Sequence, residues 1–600
     1  MFKKIIQQLN SAEIESISGM DAAFLYGETP NSHMHIGSVC IVEGSLSFET
    51  FRDLLKSRIH LIPRMRQRLV YVPMSIDYPY WVDDPNFNIN LHLSHIAIPK
   101  PSDWKQLRTL ASRIFSEPLD HSRPLWSFTF VEGLDDIAQL PKGSVAIITK
   151  MHHVAIDGVG GAGILSLLFN ASPQKKPLKE PKPFRPKPLP NQLSLLLKSS
   201  LGFAEKPLKL PGIVSDALKA SFKAGALSRV KYAQLPKASF TAPRTPLNGI
   251  VSPLRKWSTT MLSLKRIKTL KKIMGVTLND VMLGICSGAL RRYLLEKGKL
   301  PNKSLVAMVP VSTRTAGDAD GKGNQISQML VQLATQVEDP IERLETIHEN
   351  TVREKTYQKA LGAKTLSKMA EVVPFGIANQ AARIYTRFNL SKLHNPIFNV
   401  TITNVPGPQF PLYINGHKLI SVNGMAPVLD GMGLIITIFS YNGQVMVSST
   451  SDENSMPDID VFNRYIRESA NELEALILEK KEEMEQKKNP SKAALPDLNP
   501  LLKQLQKSFD AKKNSISPNM GIFQFHLSDS DTYWQFDLND APLVAESKTS
   551  HSNATATFTA KDEHFQKLLE GTLNWELAVV QGRLKVEGDI EKAMVFGELI

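Results

Sequence analysis

The sequence predicts an α/β (α+β) protein with more than one core. Short apolar, β-branched runs alternate with amphipathic helical patterns. Val145 to Thr149, Leu305 to Val311 and Asn399 to Asn404 read as strands, and Phe48 to Ile59, Trp104 to Phe115 and Thr277 to Leu295 as helices. At 600 residues the chain exceeds what one core can organise, and about two to four domains are expected. A Pro/Lys-rich stretch from Pro173 to Pro190 and a break at Asn489-Pro490 interrupt the alternation and suggest boundaries. Four segments follow: 1–172, a 173–240 linker, 241–480 and 491–600.

Bulk composition narrows the class. Hydrophobic residues at 42% and charged residues at 22% match a globular chain rather than a disordered one. Cys40 and Cys286 stand far apart, so no disulfide framework or cysteine metal site is implied, and a reducing, cytoplasmic setting is expected. Met1 to Gln8 carries lysines without a long apolar core, so no signal peptide is expected. No apolar run of about 18 residues exists, so no spanning helix is expected. The net charge of +13 favours nucleic acid, anionic lipid or the phosphates of a CoA group. No nucleic-acid-binding module accompanies the charge, and nucleic acid is set aside.

In the N-terminal segment, His33 and His35 read as strand residues near Met34-His35-Ile36-Gly37. Arg64, Arg66 and Arg68 alternate into Val70-Tyr71-Val72 as a strand with one basic face. Trp81-Val82 and Phe87-Asn88-Ile89 read as strand or extended pieces. Pro124 excludes helix and sets up a strand from Trp126 to Val131. There Trp126 is expected to be buried and Arg123 to cap or pair.

The stretch from Ser144 to Phe169 carries the chemistry. A buried strand ends in His152-His153-Val154-Ala155-Ile156-Asp157-Gly158, followed by glycines and a helix at about 159–170. A neutral imidazole takes a hydroxyl proton near pH 7, which makes His153 the candidate general base. The same residues could instead cap a helix and satisfy backbone groups. His and Asp four apart could also bind zinc, but no third ligand lies nearby in sequence, so no metal is expected.

Beyond the linker, Leu193 to Tyr232 reads as basic amphipathic helices. They suit an anionic membrane surface and a bridge between domains equally well. Thr277 or Asn279 is a plausible N-cap for the long helix, with Asp280 also able to cap and Asn279 able to donate into a site. Arg314 follows the strand Leu305 to Val311, and a buried Asp157 requires a cation. Strands follow at Met329 to Ala334, Leu434 to Tyr441 and Gln444 to Thr450, and helices at Pro340 to Lys355 and Ile459 to Glu483. After Ser491 a smaller α+β pattern holds helices at Leu498 to Ala511 and Lys561 to Glu570. Strands follow at Gly521 to Leu527, Thr532 to Leu538 and Ala554 to Thr559, before a terminal helix.

Taken together, these motifs resemble the wax ester synthase/diacylglycerol acyltransferase family over roughly residues 13–475. The resemblance rests on His-His-x-x-x-Asp-Gly at His152 to Gly158, on Asp21-x-x-Phe24-Leu25 and on Met34-His35-Ile36-Gly37. It also rests on Leu119-Asp120-x-x-Arg123-Pro124-Leu125-Trp126, Thr245-Pro246-Leu247-Asn248 and Asn279-Asp280. It implies two chloramphenicol-acetyltransferase-like halves joined by the basic linker, with His153 between them. It further implies that acyl-CoA is the co-substrate, that no cofactor is bound, and that a lipid alcohol such as a diacylglycerol or long-chain alcohol accepts the acyl group. Asn279 would hold the site or the oxyanion, Asp157 would be structural, and Arg314 would hold Asp157. Contact with an anionic inner membrane or a lipid droplet is expected. Residues 491–600, with Gly582-Arg583-Leu584-Lys585-Val586-x-Gly588-Asp589, resemble a sterol-carrier-protein type-2 lipid-binding domain.

Overall fold

A computed structural model describes residues 15–73, 77–155, 165, 167–174, 183–189, 195, 242–312, 326–361, 395–488, 499–511, 520–539, 543–547, 549–580 and 582–599. The chain divides into two compact units, Met1–Leu478 and Glu479–Ile600.

The first unit contains two six-stranded sheets. In the first, the strands lie in the order Tyr413–Ile414, His417–Met425, His35–Val42, Val145–His152, Trp126–Glu132 and Leu93–Ala97. Val145–His152 is central and buried at every position, as the apolar run Val145 to Ile148 that begins it suggests. Successive strand residues face opposite sides. Ile147 joins Phe51, Leu54 and Leu55 of the helix Phe48–Arg58. Ala146 and Ile148 join Leu107, Ala111 and Phe115 of the helix Trp104–Ser116. The two helices therefore cover opposite faces. Gly37 lies on the neighbouring strand, where a Cβ would meet the Thr149 carbonyl oxygen at 2.2 Å; only glycine permits that approach.

The second sheet runs Ile326–Gln332, Val306–Ser312, Val400–Pro406, Leu434–Tyr441, Gln444–Asp452 and Arg255–Ser263. The helices Leu264–Met274, Leu278–Glu296, Pro340–Leu361 and Ile459–Lys488 share one core with it, through Ile267, Leu283, Leu344 and Phe462 among others.

Nothing above anticipates the hairpin Tyr413–Ile414 and His417–Met425. Its signal is Asn415-Gly416, both with positive φ (47° and 88°), the two-residue turn whose twist suits antiparallel strands. The hairpin follows a strand of the second sheet but pairs along His35–Val42 of the first. Side chains fasten this exchange. Trp257 Nε1 donates to Gly424 O at 2.9 Å, Asn423 Nδ2 to Val39 O at 3.1 Å and the Thr259 hydroxyl to Asn423 Oδ1 at 3.0 Å.

Two local expectations are corrected. Arg64 and Arg66 belong to a 3-10 helix, Pro63–Arg66, and the strand is only Gln67–Val70. Pro63 fixes φ and begins a helical turn readily, so the basic strand face does not form. Phe87 to Ile89 is no strand: Asn88 is extended as read, but Ile89 already begins a helical turn. Asn88 Oδ1 accepts the Asn90 amide at 3.1 Å, and a 3-10 turn Ile89–His92 precedes the strand Leu93–Ala97.

The second unit is a five-stranded sheet in the order Leu543–Ser547, Thr532–Asp537, Ile522–Leu527, Ala556–Ala560 and Leu584–Gly588. Its core is aromatic, with Phe523, Phe525, Phe536, Phe558, Phe565 and Phe596 buried together. Among the described residues no single helix is long and apolar enough to cross a membrane. Cys40 and Cys286 are buried and unbridged.

Candidate active site

The central strand delivers its last residues to separate anchors. Lys150 is buried, and its Nζ donates to Ile114 O at 2.8 Å and Glu117 O at 2.9 Å, closing the C-terminal end of the helix Trp104–Ser116. Burial pushes this ammonium down to about 8, with Glu117 opposing the shift. His152 is fully buried and pairs in register with His35. The chain then leaves the sheet in a 3-10 turn, His153–Ala155. The His153 amide donates to Met34 O at 2.8 Å, and its half-buried ring stacks on Phe24 with centroids 3.6 Å apart. Phe24 is presented by the helix Gly19–Tyr26, which is capped by Ser18 accepting the Asp21 amide at 3.0 Å.

His152 and His153 therefore do different work. The Val154 amide donates to His152 Nδ1 at 3.2 Å, which leaves the ring proton on Nε2. Nε2 lies 3.3 Å from Glu28 Oε2, and His121 Nε2 lies 2.9 Å from the same oxygen. Glu28 Oε1 accepts the Met34 amide at 3.3 Å. Burial would raise the Glu28 carboxyl, but the hydrogen bonds from His121 and His152 outweigh it and hold the group far below the usual range. Burial pushes His152 down against the opposing pull of Glu28, keeping it neutral. Glu28, His121 and His152 are close enough to hold a metal ion, within 4.8 Å of one another. With its proton on Nε2, His152 faces the carboxylate at 3.3 Å without completing a well-aligned hydrogen bond, and a protonated Nε2 is no metal ligand, so the cluster fits an electrostatic hub better than a ligand set.

Sequence reasoning missed Glu28 and His121. The signal available was weak: a Glu after Phe24-Leu25 and a His inside the Asp120 to Trp126 element. Glu28→Gln puts an NH2 group against one of two N–H donors. It is expected to lower kcat/KM by roughly 10- to 100-fold by displacing the strand end. Steady-state kinetics beside a melting curve checks this, and an unchanged kcat/KM would show that the hub does not position the site.

The other candidate pair begins the helix Leu278–Glu296. Thr277 Oγ1 accepts the Asp280 amide at 3.2 Å, and Asp280 Oδ2 accepts the Thr277 amide at 2.9 Å, a reciprocal capping box. Asp280 is fully buried, and its oxygens also accept His348 Nδ1 at 2.7 Å and the Thr351 hydroxyl at 2.8 Å. Burial raises this carboxyl, but the bonds from His348, Thr277 and Thr351 hold it below the usual value. Asp280 thus ties its helix to Pro340–Leu361. Asn279 is half-buried, and its Oδ1 lies 3.4 Å from Asn404 Nδ2 on the strand Val400–Pro406. Trp126 is buried and donates to Met65 O at 2.8 Å, while Arg123 pairs with Asp120 at 2.8 Å. Both match their expected structural roles. Asp157, Gly158 and Arg314 lie outside the described residues, as do residues 196–241 of the linker.

Two sheets sharing a hairpin, with a His-His pair leaving the central strand of one, define the two-half acyltransferase fold of the chloramphenicol-acetyltransferase type. The sequence profile of the wax ester synthase/diacylglycerol acyltransferase catalytic domain matches residues 17–282, and that of the WS/DGAT C-terminal domain residues 322–474. The profile of the SCP-2 sterol transfer family matches residues 499–600. A Mycobacterium tuberculosis protein named as a diacylglycerol O-acyltransferase is 34% identical over 455 residues, covering 75% of this chain and 88% of the relative. A second from that organism, with the same activity in its name, is 31% identical over 473 residues, 76% of this chain and 98% of its own. The solved wax ester synthase/diacylglycerol acyltransferase from Marinobacter aquaeolei shares the fold at a TM-score of 0.54 and 24% identity. It covers 77% of this chain and all of the other. The chain belongs to the wax ester synthase/diacylglycerol acyltransferase family and carries an SCP-2 domain at its C-terminal end. It is an enzyme that transfers an acyl group to a lipid hydroxyl.

Proposed function

We propose that the donor is a fatty acyl-CoA, that the acceptor is a diacylglycerol or a long-chain alcohol, and that His153 is the general base. The observation that supports this most is the division of labour at the strand end. His152 is fully buried, its Nδ1 accepting the Val154 amide and its Nε2 facing Glu28 at 3.3 Å, while His153 has left the sheet, with its ring half-buried against Phe24. A neutral His153 takes the acceptor hydroxyl proton as that oxygen attacks the thioester carbonyl. The tetrahedral oxyanion collapses and expels the CoA thiolate, which receives the proton back from the imidazolium. No Ser or Cys nucleophile is required, so both substrates meet directly. Asn279 is assigned to holding the site or the oxyanion, and Arg314 to pairing with Asp157.

In this reading residues 1–172 and 241–480 act as one catalytic body joined by the basic 173–240 linker, and residues 491–600 hold lipid. No bound cofactor is invoked. The enzyme works at an anionic membrane or lipid-droplet face in a reducing compartment, a setting that suits its two unbridged cysteines.

An acyl-CoA turnover assay against a panel of diacylglycerols and alcohols tests the reading, with release of free CoA thiol stoichiometric with ester. Co-purifying lipid without turnover of any acyl-CoA would overturn it in favour of a lipid-binding protein on an inactive scaffold.

A further inference from the structure

We propose that the exposed face of the helix Leu264–Met274 is a docking surface for an anionic lipid layer. The proposal rests on the reading of the enzyme as one that works at a lipid surface, and it names a place for that contact outside the linker. The helix buries Leu264, Ile267 and Leu270 in the core of the second sheet. Every charged side chain it carries is basic: Lys265, Arg266, Lys268, Lys271 and Lys272, all exposed. Arg266 is matched by Glu474, its Nε lying 2.8 Å from Oε1. The four lysines form no ion pair among the described residues.

At 3.6 residues per turn, Lys265, Lys268 and Lys272 fall within an arc of about 60° opposite Ile267 and Leu270. Three cations thus point the same way from a rigid, core-anchored element. A solvated surface helix ordinarily mixes signs along such a face, with acids four residues before lysines; this one holds none.

An apolar group accompanies the charge. The first amide of the helix, at Leu264, donates to Gly443 O at 3.0 Å, and the Asn442 amide donates to Pro408 O at 3.0 Å. The loop tied to the helix start in this way carries Phe410, which is 51% exposed. A basic helix face together with an exposed aromatic on a loop tied to that helix is a combination that seats a protein at a headgroup boundary. The companion helix Leu278–Glu296 is mostly buried in the core, so the pair lies on a lipid layer rather than crossing it.

The test uses the full chain and vesicles of phosphatidylcholine with or without phosphatidylglycerol. Lys265, Lys268, Lys271 and Lys272 are changed together to Gln. All four are surface positions, and a melting curve confirms the fold. The wild-type chain is expected to partition onto the anionic vesicles, less so as salt rises. The quadruple variant is expected to bind them on the order of a hundredfold more weakly, with its acyl-CoA KM on detergent-dispersed acceptor unchanged. Phe410→Ser should weaken binding further. A variant that binds anionic vesicles as the wild type does overturns the docking surface while leaving the membrane reading intact. A wild-type chain indifferent to phosphatidylglycerol overturns both. A raised acyl-CoA KM with unchanged vesicle binding assigns the lysines to CoA phosphates and also overturns the proposal.

Discussion

Replacing His153 with alanine is expected to lower kcat for acyl transfer by roughly a thousandfold, within the range of a lost general base. The fold should survive. The His153 backbone contact, its amide to Met34 O at 2.8 Å, does not depend on the side chain. What the substitution removes is a half-buried ring stacked on Phe24, costing about 1 kcal/mol. His152→Ala should behave differently, because it deletes a fully buried ring bonded to the Val154 amide and facing Glu28. That variant loses stability and activity together. Turnover measured beside thermal unfolding separates the two. A His153→Ala protein that folds normally and keeps full turnover would sink the assignment of the base.

Asp280→Ala is expected to destabilise the acyltransferase unit by about 3–5 kcal/mol, the scale for removing one partner of a buried charged cluster. Two donors lose their acceptor at once, the Thr277 amide and His348 Nδ1, while the Thr351 hydroxyl is left with His348 O at 2.9 Å. Buried donors without acceptors carry their full desolvation cost. Asp280→Asn keeps the shape and one oxygen, and should cost clearly less. The sign with pH follows from the depressed carboxyl. Its contribution is present above the ordinary carboxylate pKa of about 3.9 and is lost as pH falls through the lower folded value. The wild-type advantage over Asp280→Ala should therefore shrink in acid. Denaturant curves followed on the first unit's own transition measure this, since the SCP-2 unit need not unfold with it. Equal stability of Asp280→Ala and wild type would show that the carboxylate does not tie the two helices.

Much of the fold was legible because period alone carries it. The run Val145 to Thr149 announced a buried strand, and Trp104 to Phe115 announced a helix; both stand as expected. The failures were local competitions. Pro63 began a 3-10 turn in place of extension, and Asn88, itself extended, capped another that starts at Ile89. Asn415-Gly416 carried a hairpin signal in plain view, but nothing local says which sheet a hairpin will join.

At the site, the His-His motif showed which residue types gather at a strand end. It did not separate their tasks. Sequence by itself determined the elements, the motif and the family, because helical and strand periodicity, turn residues and motif spacing act over a few neighbours in the chain. Only the tertiary structure decided that the 413–425 hairpin completes the first sheet, that Glu28 and His121 hold His152, and that His348 and Thr351 hold Asp280. The reason is physical. A buried carboxylate selects whatever donors packing brings within about 3 Å, and those donors come from distant parts of the chain, where no local pattern links them.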